Sequence, residues 1–166
     1  MAELTALESK IGEVLGLAMA AQGATEKVTK LVEEEGGHDD LVAALEQMHR
    51  EAREAEERTT EFAGNLDGKK TAILDKARET KGEATEMMDT YLGDDADGLD
   101  GFEFMTMAEA GEVGHWAVLQ KLNEQASEEQ VSELVAWALP IQERHFSETK
   151  ECALQLAGEK DPYEEA

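Results

Sequence analysis

The sequence predicts an all-α chain, and three observations predict it. Ala, Glu, Leu and Met are abundant, prolines number two and aromatics make up 5% of the residues. Good helix formers therefore dominate, and the β-branched and aromatic runs that suit strands are scarce. Apolar residues recur at spacings of three and four along several long stretches. Glycine- and aspartate-rich segments separate those stretches, as turns between helices would. At 166 residues the chain has the size of one ordinary domain with a proper core. We read 1–160 as that single helical-bundle domain and 161–166 as a frayed acidic tail.

The first pattern runs from about residue 3 to 35, with Leu4, Leu7, Ile11, Val14, Ala18, Ala21, Thr25, Val28 and Val32 on one side. Gly12, Gly16 and Gly23 each cost such a helix about 1 kcal/mol relative to Ala, unless they admit a neighbouring helix closely. Gln22 sits on or beside the apolar stripe. Gly36-Gly37-His38-Asp39-Asp40 then stops the helix, with an Asp as the next N-cap. The second helix, about 40 to 63, carries Leu41, Leu45, Met48, Ala52, Ala55, Thr59 and Phe62. Its other faces are charged, with i,i+4 pairs such as Glu46–Arg50 and Glu54–Arg58. Glu51, His49 and Glu56 border the stripe, whereas Glu46 points away. The Glu46-x-x-His49 string is therefore a spelling and not an inward-facing pair.

After the turn 64–68, a weaker helix reaches Tyr91 through Ile73, Ala77, Ala84, Met87 and Met88, interrupted by Gly82. The aspartates and glycines of 93–101 fit neither register of an EF-hand calcium loop, which leaves an acidic flexible loop. The fourth helix, about 104 to 123, places Phe104, Ala108, Gly111, His115, Val118 and Leu122 on one side, flanked by Met105, Glu112 and Leu119. Trp116 lies off that stripe, a hint of a homodimer contact. Ser127-Glu128-Glu129-Gln130 has the form of a capping box opening the last helix. That helix shows Val131, Leu134, Val135, Ala138, Ile141, His145, Cys152 and Leu156 on its core side, with Gln142, His145 and Thr149 near the centre. Pro140 is expected to kink it.

Charge narrows the function. There are 39 acidic against 15 basic residues, a formal net charge of −24. Such a surface repels nucleic acid and anionic lipid, and it either gathers divalent cations or keeps the chain solvated in a salty or crowded interior. One cysteine excludes an intramolecular disulfide and any all-cysteine metal site. The first residues lack the basic and apolar regions of a signal peptide, and no apolar run approaches the roughly 18 residues of a membrane span. The expected setting is cytoplasmic. Neither a nucleophilic triad nor a phosphate-binding glycine loop is present.

Two long helices, a crossover of about forty residues with a short helix, then two more long helices resemble a ferritin-like four-helix bundle. Glu112-Val113-Gly114-His115-Trp116 and the Ala-Ala-Gln of the first helix are most similar to the YciF-like branch, small stress-associated ferritin-like proteins. The resemblance implies a site for iron or manganese, with Glu112 and Glu51 as anionic ligands and His115, His145 and His49 as imidazole ligands. The activity implied is that of a ferroxidase or a peroxide-consuming oxidoreductase. The match is partial, because Gln22 and Gln142 stand where carboxylates belong. At 1.5 Å of rise per residue His115 and His145 are also offset by roughly 10 Å or more, so they would not share one metal. A second reading stands beside the first: a metal-free interaction or scaffold protein of the same shape. In it Gln22, Gln142, His145, Thr149 and Glu112 form a buried polar layer that fixes register.

Overall fold

The computed structural model describes residues 3–165. Among them every regular element is a helix, in the order α1 (Ala6–Glu35), α2 (Asp39–Gly64), α3 (Lys70–Tyr91), α4 (Gly98–Ala126) and α5 (Glu129–Glu159). The all-α expectation holds. Positions 1 and 2 of the expected domain 1–160, and Ala166 of the expected tail, lie outside the described residues.

Local chemistry sets the boundaries. Thr5 opens α1 with a capping box, its hydroxyl accepting from the Glu8 N–H while the Glu8 carboxylate accepts from the Thr5 N–H at 2.7 Å. Gly36 and Gly37, at φ +73° and +80°, close it in a region that glycine occupies without strain. The N-cap of α2 is His38, not an aspartate, and no side chain caps it. With the glycines completing the reversal, Asp39 and Asp40 already fall in the first turn, where carboxylates favour the helix dipole. The acidic loop before α4 is used as a cap: Asp97 and Asp100 form a second capping box, so α4 starts at Gly98 and not near 104.

The expected capping box at Ser127 does not form. Ser127 lies in the left-handed region, φ 58° and ψ 34°, and closes α4, while Glu128 is the uncapped N-cap of α5. Asn123 stabilises this tight reversal instead. Its amide donates to the Glu128 carbonyl at 3.0 Å and to Ser132 Oγ at 2.9 Å, and its Oδ1 accepts from the Glu128 N–H at 3.1 Å. Helix α5 continues through Pro140.

Paired contacts fix the directions. Gln22 meets Glu56 and Thr25 meets His49, so α1 and α2 are antiparallel. Gly98 meets Glu35 and His115 meets Lys10, so α1 and α4 are antiparallel. Gln155 meets Asp40 and His145 meets Glu51, which makes α2 and α5 antiparallel. Helices α4 and α5 pack on each other across the Asn123 turn.

Helix α3 returns along the outside of α1. A Cβ on Gly16 would collide with the Ala77 carbonyl oxygen, and one on Gly12 would stand 2.8 Å from Lys76 Cβ. These two glycines let α3 approach, whereas a Cβ on Gly23 would meet nothing within 4 Å. Helix α3 is not short: at 22 residues it spans about 33 Å, held to α1 by Ala72, Ile73, Ala77 and Thr80. Beyond Gly82 its side chains are more open, Met87 and Tyr91 being more than half exposed.

The interior has two apolar cores. One gathers Ile11, Leu15, Phe62, Ile73, Trp116, Leu119, Val131 and Val135. The other gathers Val28, Val32, Leu41, Leu45, Met48, Phe102, Met105 and Leu156. Along α4 and α5 the residues between those two sets are polar, α2 presents Ala52, Ala55 and Thr59 there with Glu51 at its edge, and that middle layer is the candidate site.

One stripe departs from expectation. Phe104 is buried as expected, but the rest of the buried face of α4 is Phe102, Met105, Glu109, Glu112, Trp116, Leu119 and Asn123, whereas Val118 is 47% exposed. The expected stripe through His115 and Val118 is rotated by about one residue, roughly 100°. Helix α4 is apolar on two sides; Phe102 and Trp116 are fully buried, and Phe104 joins the second core while also packing near Tyr91. Trp116 is fully buried, so the reason for expecting a homodimer through it disappears.

Candidate functional site

Between the two cores, α4 contributes Glu109 and Glu112, one turn apart on its buried face. Helix α5 contributes Gln142, His145 and Thr149 at spacings of three and four, and α2 contributes Glu51 from its edge. Glu109, Glu112, Gln142 and His145 are all 4% exposed or less. The apolar neighbours on the same helical faces, such as Met105, Trp116, Ala138 and Cys152, drive these polar groups inside.

His145 is the centre of the layer. Its Nε2 stands 2.6 Å from Glu51 Oε2, and its Nδ1 is at ion-pair distance, 3.5 Å, from Glu109 Oε2. Burial alone would lower the pKa of this imidazole, but the Glu109 and Glu51 carboxylates outweigh it and hold the pKa above its ordinary value. Arg144 also binds the same Glu51 oxygen, and pairs with Glu148 at 3.2 Å. Burial would raise Glu51, yet hydrogen bonds from Gln47, Arg144 and His145 keep its pKa low. Glu51 thus faces both the His145 imidazole and the Arg144 guanidinium, and Glu109 stands at the other ring nitrogen.

Glu112 is different. Burial, and then the charge of Glu109 one turn away, push its pKa well above the usual carboxylate range. Its carboxyl therefore keeps its proton to higher pH than an ordinary glutamate does. Glu112 Oε2 and Gln142 Oε1 are buried oxygens without a hydrogen-bond partner, and Glu109 Oε2 has only its 3.5 Å contact with His145 Nδ1. Such groups cost about 1–3 kcal/mol each when left unpaired.

The other expected site residues lie elsewhere. His115 is half-buried on the α1 side of α4, its Nδ1 3.2 Å from Lys10 Nζ and 3.2 Å from Glu13 Oε2. It does not face inward beside Glu112, because the rotated register of α4 turns Trp116 to the core in its place. Burial and the Lys10 charge lower its pKa. His49 lies in the groove between α1 and α2, with Nδ1 3.0 Å from Thr25 Oγ1. Gln22 turns to Glu56 on α2 and not to the central layer. Of the five expected ligands, the structure joins Glu51 to His145 and sets Glu112 nearby, on the turn of α4 beside Glu109. Cys152 is a buried thiol pushed up to about 11 by burial and the carboxylates of Glu148 and Asp40, the inert small hydrophobe expected.

A metal ion needs several donors converging on one point. Among the described residues no three His, Cys, Asp or Glu side chains are grouped in that way. The donor set explains why. Arg144 and His145 occupy Glu51, both nitrogens of His145 face carboxylates, and α1 presents Ala18, Ala21 and Thr25 on its buried face. A di-metal centre draws glutamates from four helices; here α1 supplies none and α5 offers neutral Gln142. The residues as arranged do not fit the implied iron or manganese pair.

Two functional residues escape the sequence reading, Glu109 and Arg144. Glu109 is legible in principle, since 102, 105, 109, 112, 116 and 119 form a regular a/d-type series. Arg144 adjoins the apolar stripe of α5, and only the neighbouring position of Glu51 gives it a role. No helix among the described residues is long and apolar enough to cross a membrane. Comparison of the chain with protein-family models, with curated proteins and with solved structures finds no match.

Proposed function

We propose that the chain is a ferritin-like four-helix bundle of α1, α2, α4 and α5, with α3 as the helix of the long crossover. We further propose that it works without a resident metal, as a cytoplasmic interaction or scaffold protein. Support for the bundle comes from the helix order, in which α1 neighbours α2 and α4, and α5 neighbours the same two. It comes also from the directions: α1 is antiparallel to α2 and to α4, and α3 carries the chain back along α1. The observation that carries the metal-free half is His145, flanked by Glu51 and Glu109 on its two ring nitrogens. An imidazolium held in this way has no lone pair to give a metal. The polar layer then sets the register of α2, α4 and α5, because sliding any of them would strand a buried charge.

A specific observation favours a second reading. The unpartnered oxygens of Glu112 and Gln142, with Glu109 beside them, could accept a single iron or manganese once Glu51 and His145 turn toward it, and oxidant defence would then be the role. One experiment separates the two. The chain is purified without chelator or affinity metal, loaded anaerobically with Fe(II) or Mn(II), and its metal measured by elemental mass spectrometry. Metal no greater than in a Glu112→Gln control supports the first reading. Stoichiometric metal, lost in that control, supports the second.

A further inference from the structure

A cavity of about 320 Å³ opens between α1, α3 and α4. That volume lies at the lower end of small-molecule sites, roughly 300–1,000 Å³. Its walls are apolar and adaptable: Ala20, Ala21 and Ala24 of α1, Met87 and Met88 of α3, and Phe104 of α4. Alanines make room, and methionines reshape themselves around a guest. Glu109 and Glu112 are the only acids among the lining residues, and Glu112 is 4% exposed. Glu112 has a fully buried oxygen without a partner. An unpaired buried acid at the edge of an apolar cleft is an incomplete set of contacts.

We propose that this cleft binds an amphipathic amine, with its apolar body along the alanines, methionines and Phe104 and its ammonium group on Glu112, beside Glu109. A primary ammonium brings three donors and no acceptor, which suits an acid pair short of donors. A neutral alcohol brings one donor and no charge. Burial, and then Glu109, oppose ionisation of Glu112, and a cation beside the two acids offsets both. The net charge of −24 adds to this by enriching organic cations near the surface. The site goes beyond the metal-free reading; it shares Glu109 with the His145 contacts and leaves the Glu51 contact untouched.

The test is calorimetric titration of the chelator-treated full chain with hexylamine and, separately, with hexanol. Saturable one-to-one binding of hexylamine is expected, with hexanol at least about tenfold weaker, the measure of one charged contact of about 1.4 kcal/mol. Glu112→Gln keeps the shape and neutrality of the buried side chain, and it should weaken hexylamine by a similar factor while leaving hexanol unchanged. Ala84→Leu narrows the cleft with both acids intact, and it should weaken both probes. Equal binding of amine and alcohol, or full amine affinity in either variant, overturns the proposal. Because metal has been removed, a positive metal-loading result would leave this outcome unaffected, and the two inferences fail separately.

Discussion

Replacing Glu112 by glutamine should stabilise the protein, and by more as the pH rises. Glu112 is buried with its pKa raised well above 4.5, first by burial and then by Glu109. In the unfolded chain it ionises at its ordinary value. Above about pH 4.5 the unfolded state therefore sheds a proton that the folded state keeps. Each further pH unit then favours unfolding about tenfold, until the folded acid also ionises. The sign is that of a group stabilising the fold at low pH and costing stability as pH rises. Glutamine has no proton to lose and nearly the same shape, so the variant escapes the cost. Urea unfolding followed by circular dichroism, from pH 4 to 7.5, measures it. The variant should match wild type near pH 4, and its unfolding constant should then fall about one decade further below that of wild type per pH unit, until Glu112 of the folded wild type ionises. A difference that stays flat with pH would refute a neutral buried Glu112. So would a variant less stable than wild type at neutral pH.

Three other substitutions probe separate parts of the molecule. His145→Ala leaves Glu51 and Glu109 without their shared cation and should cost about 3 kcal/mol below pH 6.5. The folded pKa of His145 is raised, so its contribution is complete below the unfolded value and fades as pH rises through the folded one; the deficit, read by urea unfolding, should shrink in the same direction. Gly16→Ala should destabilise by about 1–3 kcal/mol despite alanine's helix propensity, because its Cβ meets the Ala77 carbonyl. Gly23→Ala, with open space around it, should stabilise by roughly 1 kcal/mol, and thermal melts of the pair give the contrast.

The helices are legible in the sequence because their apolar repeats are long and their breaks are glycine-rich, as at Gly36-Gly37. The role of Gly12 and Gly16 is legible only as an alternative, since their cost is local and their partner, α3, is distant in sequence. The face of α4 is not, because Phe104, Met107, Ala108 and Val118 form an apolar side of their own, and periodicity cannot say which of two such sides meets α5. That single rotation moves His115 out of the core and Glu109 into it. His145 falls where its pattern puts it, as the apolar face of α5 has no rival. Its pairing with Glu51 follows from helix direction and level, which no local pattern carries. The turn at Ser127 departs from its spelling for a related reason. Asn123, a turn earlier, satisfies the exposed backbone groups that a serine cap would have served.

The charge state of His145 tests the self-compensated layer most directly. Nitrogen-15 spectra of the ring, recorded on metal-free protein across pH 5 to 9, report the protonation of Nδ1 and Nε2 separately. The ring held by Glu51 and Glu109 should carry protons on both nitrogens and lose one only at a midpoint above 6.5. A ring that is neutral at pH 6, with a lone pair free on one nitrogen, would contradict the account and return His145 to the candidates for a metal ligand.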